Sequence, residues 1–353
     1  MPLQVGLIGL GEVAQLMHLP LLADDPRFRI AAVADASPGL TAAIAARYGA
    51  RPLAGASELI ADPDLDAVFI LTPDHLHAPL VAAAIAARKH VFVEKPVALT
   101  AAELEPLIAA NRGNPQVVFV GYMRRFSRPF LELKRRLPEI AAIRHVKVRD
   151  IIREAPFFQG QTRPVLRAAD LPPELIAEGR RRTAELVGSV TGADAPDDVR
   201  RAYQLLTGLA SHSFSAMRDL LGPPRGVVAA RQHGGETVIV LFDYGHFTAV
   251  YEAVIGDVAE FDSGIDVITQ TQRFRLTYDT PYVRFLPTRL TVTTSGEATT
   301  GSETFGPVYE DPFRIELDAF HAAVTQGRPH KTSLEDSLHD LRLFAEVARH
   351  FQN

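Results

Sequence analysis

Three groups of residues in this chain have types and spacings suited to chemistry. The first is Gly9-Leu10-Gly11-Glu12-Val13-Ala14, which fits G-x-G-x-x-A between an apolar run and a helical pattern. In that setting the first glycine allows a tight turn, the second lets the backbone approach a pyrophosphate, and the small third residue lets helix and strand pack closely. The N-terminus of the following helix offers unpaired N–H groups and a positive dipole end to phosphates. The second is Asp35, closing the next apolar run near the roughly 20-residue spacing of a ribose-binding acid. A carboxylate there accepts hydrogen bonds from both ribose hydroxyls and repels a 2′-phosphate. No arginine directly follows it, so the pattern favours NAD over NADP. The third is Lys95, which sits with Thr72 just past the carboxyl ends of strand-like runs, where doubly wound sheets bind ligands. Beside an oxidised, cationic nicotinamide a lysine has its charged form disfavoured, which brings it toward the balance that proton transfer needs. The plainer alternatives stay open: a tight turn with a helix-capping aspartate, and a solvated lysine at a strand end.

These residues need a scaffold, and the first third of the chain predicts one. Strand-like runs at Gln4–Gly9, Arg29–Asp35, Asp66–Leu71, His90–Glu94 and Gln116–Val120 alternate with helical patterns at Glu12–Ala23, Pro38–Tyr48 and His75–Arg88. A further helix is capped by Thr100, with Glu103 completing a capping box. Strands and helices alternating over short loops imply a parallel, doubly wound sheet. The pattern changes near Gly121. A basic helix spans Arg124–Leu137, a strand Ile143–Ile152, a helical insertion Leu171–Tyr203 and a helix Leu205–Leu221. Strand-like runs at Val227–Gln232, Thr237–Tyr244, His246–Ile255, Gln272–Tyr278 and Arg289–Thr294 then predict a mostly antiparallel sheet. Helices at Pro312–Gln326 and Leu334–Phe351 close the chain, with the last one assigned a return to the first domain. The fold class is therefore α/β: an N-terminal doubly wound Rossmann domain over residues 1–122, and a C-terminal α+β substrate and oligomerisation domain over 123–353.

Val93-Glu94-Lys95-Pro96, taken with the glycine loop, resembles the glucose–fructose oxidoreductase/inositol dehydrogenase (Gfo/Idh/MocA) family. Thr72-Pro73-Asp74-His75-Leu76-His77, Gly121-Tyr122-Met123-Arg124-Arg125-Phe126, Gly327-Arg328-Pro329 and Ser333-Leu334-Glu335-Asp336 extend the resemblance over nearly the whole chain. It is weakest from Arg163 to Gln204. The resemblance implies that Lys95 holds a substrate hydroxyl and joins its proton relay, that Glu94 fixes the nicotinamide end, and that Thr72 and Pro73 line the cofactor cleft beside Gly9, Gly11, Glu12, Val13 and Asp35. It also implies a histidine base four residues after an aspartate on the first long helix of the second domain. His212 stands at the histidine position, but Gly208 replaces the aspartate. An ordinary histidine pKa of about 6.5 suits proton acceptance near neutral pH; a core histidine satisfied by backbone is the alternative.

Other features narrow the field. The 353 residues imply two domains. The net charge of −5 gives no basic surface for nucleic acid or an anionic membrane. Absence of cysteine removes disulfides, thiolate metal sites and a cysteine nucleophile, and fits a reducing, cytoplasmic compartment. No apolar run approaches the roughly 20 residues of a membrane span. His75 and His77 read as helix-terminal residues rather than metal ligands, and no metal is assigned. Most of Arg124, Arg125, Arg128, Lys134, Arg135 and Arg136 read as a solvated helix face, and Phe157, Phe158, Gln159 and Gln161 as a loop. The expectation is an NAD-dependent oxidoreductase acting on a secondary alcohol or ketone of a sugar, polyol or related cyclic substrate, assembled as a homodimer or homotetramer. Two rivals stay open: tightly held NAD serving a net non-redox elimination or glycoside cleavage, and a nucleotide-binding regulator without catalysis.

Overall fold

The computed structural model describes residues 1–137, 139–161 and 164–351; Arg163, where the weak part of the resemblance begins, lies outside them. In chain order the first elements are β1 (Leu3–Ile8), a π-helical turn (Ala14–His18) running into α1 (Leu19–Ala23), β2 (Phe28–Ala34), α2 (Pro38–Tyr48), β3 (Arg51–Pro52), α3 (Ala56–Ala61), β4 (Ala67–Ile70), α4 (His77–Ala86), β5 (His90–Glu94), α5 (Ala101–Asn111) and β6 (Val118–Gly121). The six strands are all parallel, in the order β3-β2-β1-β4-β5-β6. That order reverses direction beside β1, the switch point where doubly wound sheets open a ligand crevice.

The remaining elements are α6 (Arg128–Arg136), β7 (Ile143–Arg153), α7 (Ala155–Gln159), α8 (Pro173–Thr191), α9 (Asp197–Leu205), a π-helical turn (Leu206–Ala210), α10 (Ser211–Leu221), β8 (Gly226–His233), β9 (Thr237–Asp243), β10 (Thr248–Gly256), β11 (Phe261–Thr269), β12 (Gln272–Tyr278), β13 (Thr288–Ser295), β14 (Thr300–Val308), α11 (Pro312–Gln326) and α12 (Leu334–His350). The chain forms two compact units. One comprises residues 1–121, 163–186 and 316–338; the other comprises residues 122–162, 187–315 and 339–353.

In the first unit the adjacent strands β4, β5 and β6 carry Phe69, Phe92 and Phe119 in register. Their rings stack at 4.9 and 5.6 Å, and Phe320 of α11 stands edge-on to all three at 5.5–5.8 Å. Each such contact adds about 0.5–1.5 kcal/mol beyond the area it buries, which explains why a segment so late in sequence belongs to this unit. Thr332 O accepts the Val120 N–H at 2.9 Å and fixes the chain after α11. The sequence assigned the return to the final helix; only the start of α12 lies in this unit, and α11 supplies the covering ring.

The second unit is built on an eight-stranded sheet, β14-β13-β12-β11-β7-β10-β9-β8, antiparallel except for the β7–β10 pair. One face is apolar and alternates with period two: Val146 and Val148, Ala249 and Tyr251, Ile265 and Val267, Phe274 and Leu276 are all buried. Phe214 of α10 packs on this face, edge-on to Tyr251 at 4.9 Å and to Phe242 at 5.1 Å. Two strands escaped the sequence reading. β11, Phe-Asp-Ser-Gly-Ile-Asp-Val-Ile-Thr, mixes polar residues and glycine into its alternation. β14 is a nearly fully exposed edge strand with Gly306-Pro307 inside it, so it carries no hydrophobic period at all. Phe157, Phe158 and Gln159 lie in the short helix α7, not in a loop.

Candidate active site

Gly9 follows β1 with φ of +86°, a conformation that costs glycine little. A Cβ there would stand 2.7 Å from the carbonyl carbon and oxygen of Leu71 and from Thr72 N. The loops after β1 and β4 therefore touch backbone to backbone, which only glycine permits. Around Gly11 a Cβ would meet nothing within 4 Å; this second glycine faces open space, as an approach path for a phosphate requires. Glu12 and Val13 open the helical run, partly exposed. The Glu12 carboxylate pairs with Arg167 at 2.8 Å.

Asp35 is tied into this loop. Its Oδ2 accepts the Leu10 N–H at 2.8 Å and its Oδ1 accepts the Ser37 N–H at 2.9 Å, while its own N–H donates to Thr41 Oγ1 at 3.0 Å. Each carboxylate oxygen keeps a lone pair for another donor. Ser37 then caps α2, its hydroxyl accepting the Leu40 N–H at 3.0 Å.

Around the ends of β4 and β5 the structure brings together Thr72, Pro73, Glu94 and Lys95. Thr72 Oγ1 is buried and makes no hydrogen bond among the described residues. An unsatisfied buried hydroxyl costs about 1–3 kcal/mol, a cost that a bound polar group would remove. Glu94 lies on β5 with its Oε1 on His18 Nε2 at 2.8 Å, and its Oε2 accepts the Lys95 N–H at 3.3 Å. Burial alone would raise the Glu94 carboxyl. The His18 hydrogen bond, with the electrostatic pull of His18, Lys95 and His77, outweighs it, and the carboxyl sits below the ordinary glutamate range. Glu94 is thus an anion held rigidly at the strand end. Lys95 is half-buried and its peptide bond to Pro96 is cis. Gly121 ends the neighbouring β6, where a Cβ would meet the Phe92 ring at 3.2 Å and the Glu94 carboxyl carbon at 3.4 Å.

Three residues that support this cluster went unrecognised or were read as helix ends. His77, buried at the start of α4, has Nε2 2.7 Å from Thr72 O and Nδ1 2.7 Å from Pro96 O, bracing the β4 and β5 loops against each other. His18 is fully buried and stands edge-on to Phe92 at 5.1 Å. Gln15, also buried, donates to Leu10 O at 2.7 Å. The one available signal was a polar side chain, Gln15 or His18, inside the otherwise apolar Ala14–Leu22 run.

In the second unit, His212 lies half-buried in the first turn of α10, two residues past the π-helical turn that contains Gly208. A Cβ at Gly208 would meet nothing within 4 Å, so a first side-chain carbon is free to sit at the position where the family pattern places an aspartate. The next residue, Ser213, belongs to a buried polar knot. Asp150, with no exposure, accepts from Arg124 Nη1 at 2.7 Å, Ser263 Oγ at 2.7 Å, Ser213 Oγ at 2.6 Å and Tyr251 OH at 3.1 Å. This corrects the solvated-face reading of Arg124 and Arg125. Both are buried, Arg124 on Asp150 and Arg125 on Asp219 at 3.1 Å, because they precede α6 in a 3₁₀ turn rather than lying on its exposed side. Arg128 and Arg135 remain exposed. Among the described residues no group of three or more metal-ligating side chains forms a site, and no helix is long and apolar enough to cross a membrane.

The comparisons with known proteins bear on the fold that carries these residues. Residues 3–122 match the family model for Gfo/Idh/MocA, described as an oxidoreductase family with an NAD-binding Rossmann fold. An inositol 2-dehydrogenase of Acidothermus cellulolyticus is 38% identical over 136 residues, 38% of this chain and 40% of that protein. In matches of this kind the chain spans about two fifths of the relative's length. A dTDP-3,4-didehydro-2,6-dideoxy-α-D-glucose 3-reductase of Saccharopolyspora spinosa is 28% identical over 261 residues, 71% of each chain. A solved 3-ketoreductase of Actinomadura kijaniata, in complex with NADP and TDP-benzene, shares the fold with a TM-score of 0.73 over 100% of this chain and 97% of its own, at 20% identity. The N-terminal domain of this chain, residues 3–122, thus matches the Gfo/Idh/MocA oxidoreductase family, with its NAD-binding Rossmann fold.

Proposed function

We propose that the protein is a nicotinamide-dependent oxidoreductase that moves a hydride between the cofactor and a secondary alcohol or ketone of a sugar, polyol or related cyclic substrate. The observation that carries this reading is the Gly9–Val13 loop, held by Asp35 through Leu10 and facing open space at Gly11. The orphaned Thr72 hydroxyl adds a polar group waiting for a partner at the same strand ends. Names of relatives support the substrate class: one acts on inositol and another on a nucleotide-linked keto-sugar. Oligomerisation as a homodimer or homotetramer belongs to the same proposal.

When bound, the nicotinamide supplies the hydride chemistry. The Gly11 backbone and the N–H groups of the following helix hold the pyrophosphate, Asp35 holds the adenosine ribose, and Thr72 and Pro73 line the nicotinamide end. Glu94, anionic and anchored by His18, orients that end. Lys95 binds the reacting oxygen, and its ammonium favours the alkoxide character that develops there. His212 accepts the hydroxyl proton in the oxidative direction and returns it in the reductive one. With glycine at position 208, no carboxylate at that position orients the histidine.

The test is a screen of inositols, aldoses and keto-sugars, following nicotinamide absorbance with wild type, Lys95→Ala and His212→Ala. Turnover by wild type that falls at least about 100-fold in both variants, with NADH binding retained, is the expected result. NADH that stays bound through purification, with turnover of a substrate but no net change in nicotinamide redox state, would replace this reading with the non-redox one. Retained biological activity in Lys95→Ala, with Gly11 still essential, would replace it with the regulator.

A further inference from the structure

The first turn of α2 presents the donors that a phosphate beyond the ribose would need, and an anion of this chain already holds them. One oxygen of the Asp170 carboxylate accepts the Ser37 hydroxyl, and the other accepts the Gly39 N–H at 2.9 Å. The carboxylate is seated close against the backbone: a Cβ on Gly39 would stand 3.1 Å from its Oδ2. Asp170 is distant in sequence and arrives on the segment Pro164–Asp170, which is pinned at two earlier points. Leu166 exchanges two hydrogen bonds with the Gln15 amide, at 2.8 and 2.9 Å, and Arg167 pairs with Glu12 at 2.8 Å. The segment thus runs, within the first unit, from the helical run after Gly11 to the helix after Asp35.

We propose that Asp170 is a specificity-determining residue that fills the position of a 2′-phosphate and so selects NAD over NADP. The inference rests on the proposed reading of this loop as a nicotinamide-dinucleotide site. A ribose 2′-hydroxyl needs none of the Asp170 contacts, because Asp35 can accept it. A 2′-phosphate is different. Projecting past Asp35 toward the start of α2, it needs N–H and O–H donors, and Ser37 Oγ and Gly39 N are the ones that the turn offers. To use them it must displace Asp170, and displaced or not it meets two carboxylates of like charge. The two hydrogen bonds, Ser37 first, hold the Asp170 carboxyl below the ordinary aspartate range, so the charge is present at neutral pH. No lysine or arginine occupies positions 35–41 to offset it.

The experiment is titration of full-length wild type, Asp170→Ala and Asp170→Asn with NADH and with NADPH, followed by nicotinamide fluorescence, with thermal melting to confirm that each variant is folded. Wild type is expected to bind NADH at least about tenfold more tightly than NADPH. Both variants are expected to gain about tenfold in NADPH affinity and to change NADH affinity by less than about threefold. Asp170→Asn keeps the size and an acceptor oxygen, so it isolates the charge if Asp170→Ala folds poorly. An unchanged NADH-to-NADPH ratio in the folded variants overturns the inference while leaving the nucleotide site intact, as does a wild type that prefers NADPH. A wild type that binds neither nucleotide overturns the reading of the site, and the inference with it.

Discussion

The Asp35 carboxylate accepts the Leu10 backbone N–H at 2.8 Å, joining the end of β2 to the middle of the glycine loop. Loop and acid are therefore one preorganised unit, set before any ligand arrives. Asp35→Ala removes the proposed ribose acceptor and also frees the Leu10 and Ser37 N–H groups. It should lower NADH affinity about 10- to 100-fold and cost about 1–3 kcal/mol of stability. Asp35→Asn, which keeps one acceptor oxygen, should recover part of the stability and less of the affinity. Denaturant melts and NADH titrations of both variants check this.

The two glycines of the loop should separate folding from binding. Alanine at Gly9 must adopt a positive φ and push a methyl to 2.7 Å from the Leu71 carbonyl. A loss of about 2–4 kcal/mol is expected. Alanine at Gly11 meets no neighbour within 4 Å, so its stability should stay within about 0.5 kcal/mol of wild type. On the proposed reading its methyl instead enters the approach path of a pyrophosphate, and NADH affinity should fall at least about tenfold. Equal stability losses in both variants would contradict the geometry.

The Glu94–His18 pair should leave a mark on the acid limb of stability. The folded Glu94 carboxyl lies below its unfolded value, so its contribution is fully present above the unfolded value of about 4.3. It is lost as pH falls through the lower folded value. Glu94→Gln cannot titrate. The gap in melting temperature between wild type and Glu94→Gln should therefore be largest near neutral pH and close on acidification below about pH 4. A gap independent of pH would show that Glu94 contributes through shape alone.

Asp150 is the hinge of polar order in the second unit. Its removal as Asp150→Ala strands the buried Arg124 guanidinium and three hydroxyls, including that of Tyr251. Burial, and then the Asp150 charge, push the Tyr251 hydroxyl well above its ordinary value, so it stays a donor. Leaving a buried charge unpaired costs about 3–5 kcal/mol. Because Ser213 is part of the knot and follows His212, this variant should also lower turnover more than Asp219→Ala does. Melting curves and kcat measured side by side check both.

Much of the first unit was legible because its signals are local. A strand, a glycine loop and a helix in succession impose their own geometry, and Asp35, Thr72 and Lys95 follow from strand ends alone. What stayed hidden depends on partners far apart in sequence. Nothing in the run from Pro164 to Asp170 announces that Asp170 will sit on Ser37 and Gly39. Arg124 and Arg125 look like part of a basic stripe until Asp150 and Asp219 appear beside them. The edge strand β14 has no buried face to give it a period. Gly208 shows the opposite case: its departure from the family pattern is plain in the sequence, and a Cβ there would meet nothing within 4 Å.

The most direct test of the central claim is titration of the nucleotide-free protein with NADH, read by nicotinamide fluorescence and by competition with NAD. Saturable binding that NAD displaces, and that Gly11→Ala weakens without unfolding the protein, is the result this account predicts. Absence of saturable binding, from protein shown to be folded and free of bound nucleotide, would contradict it.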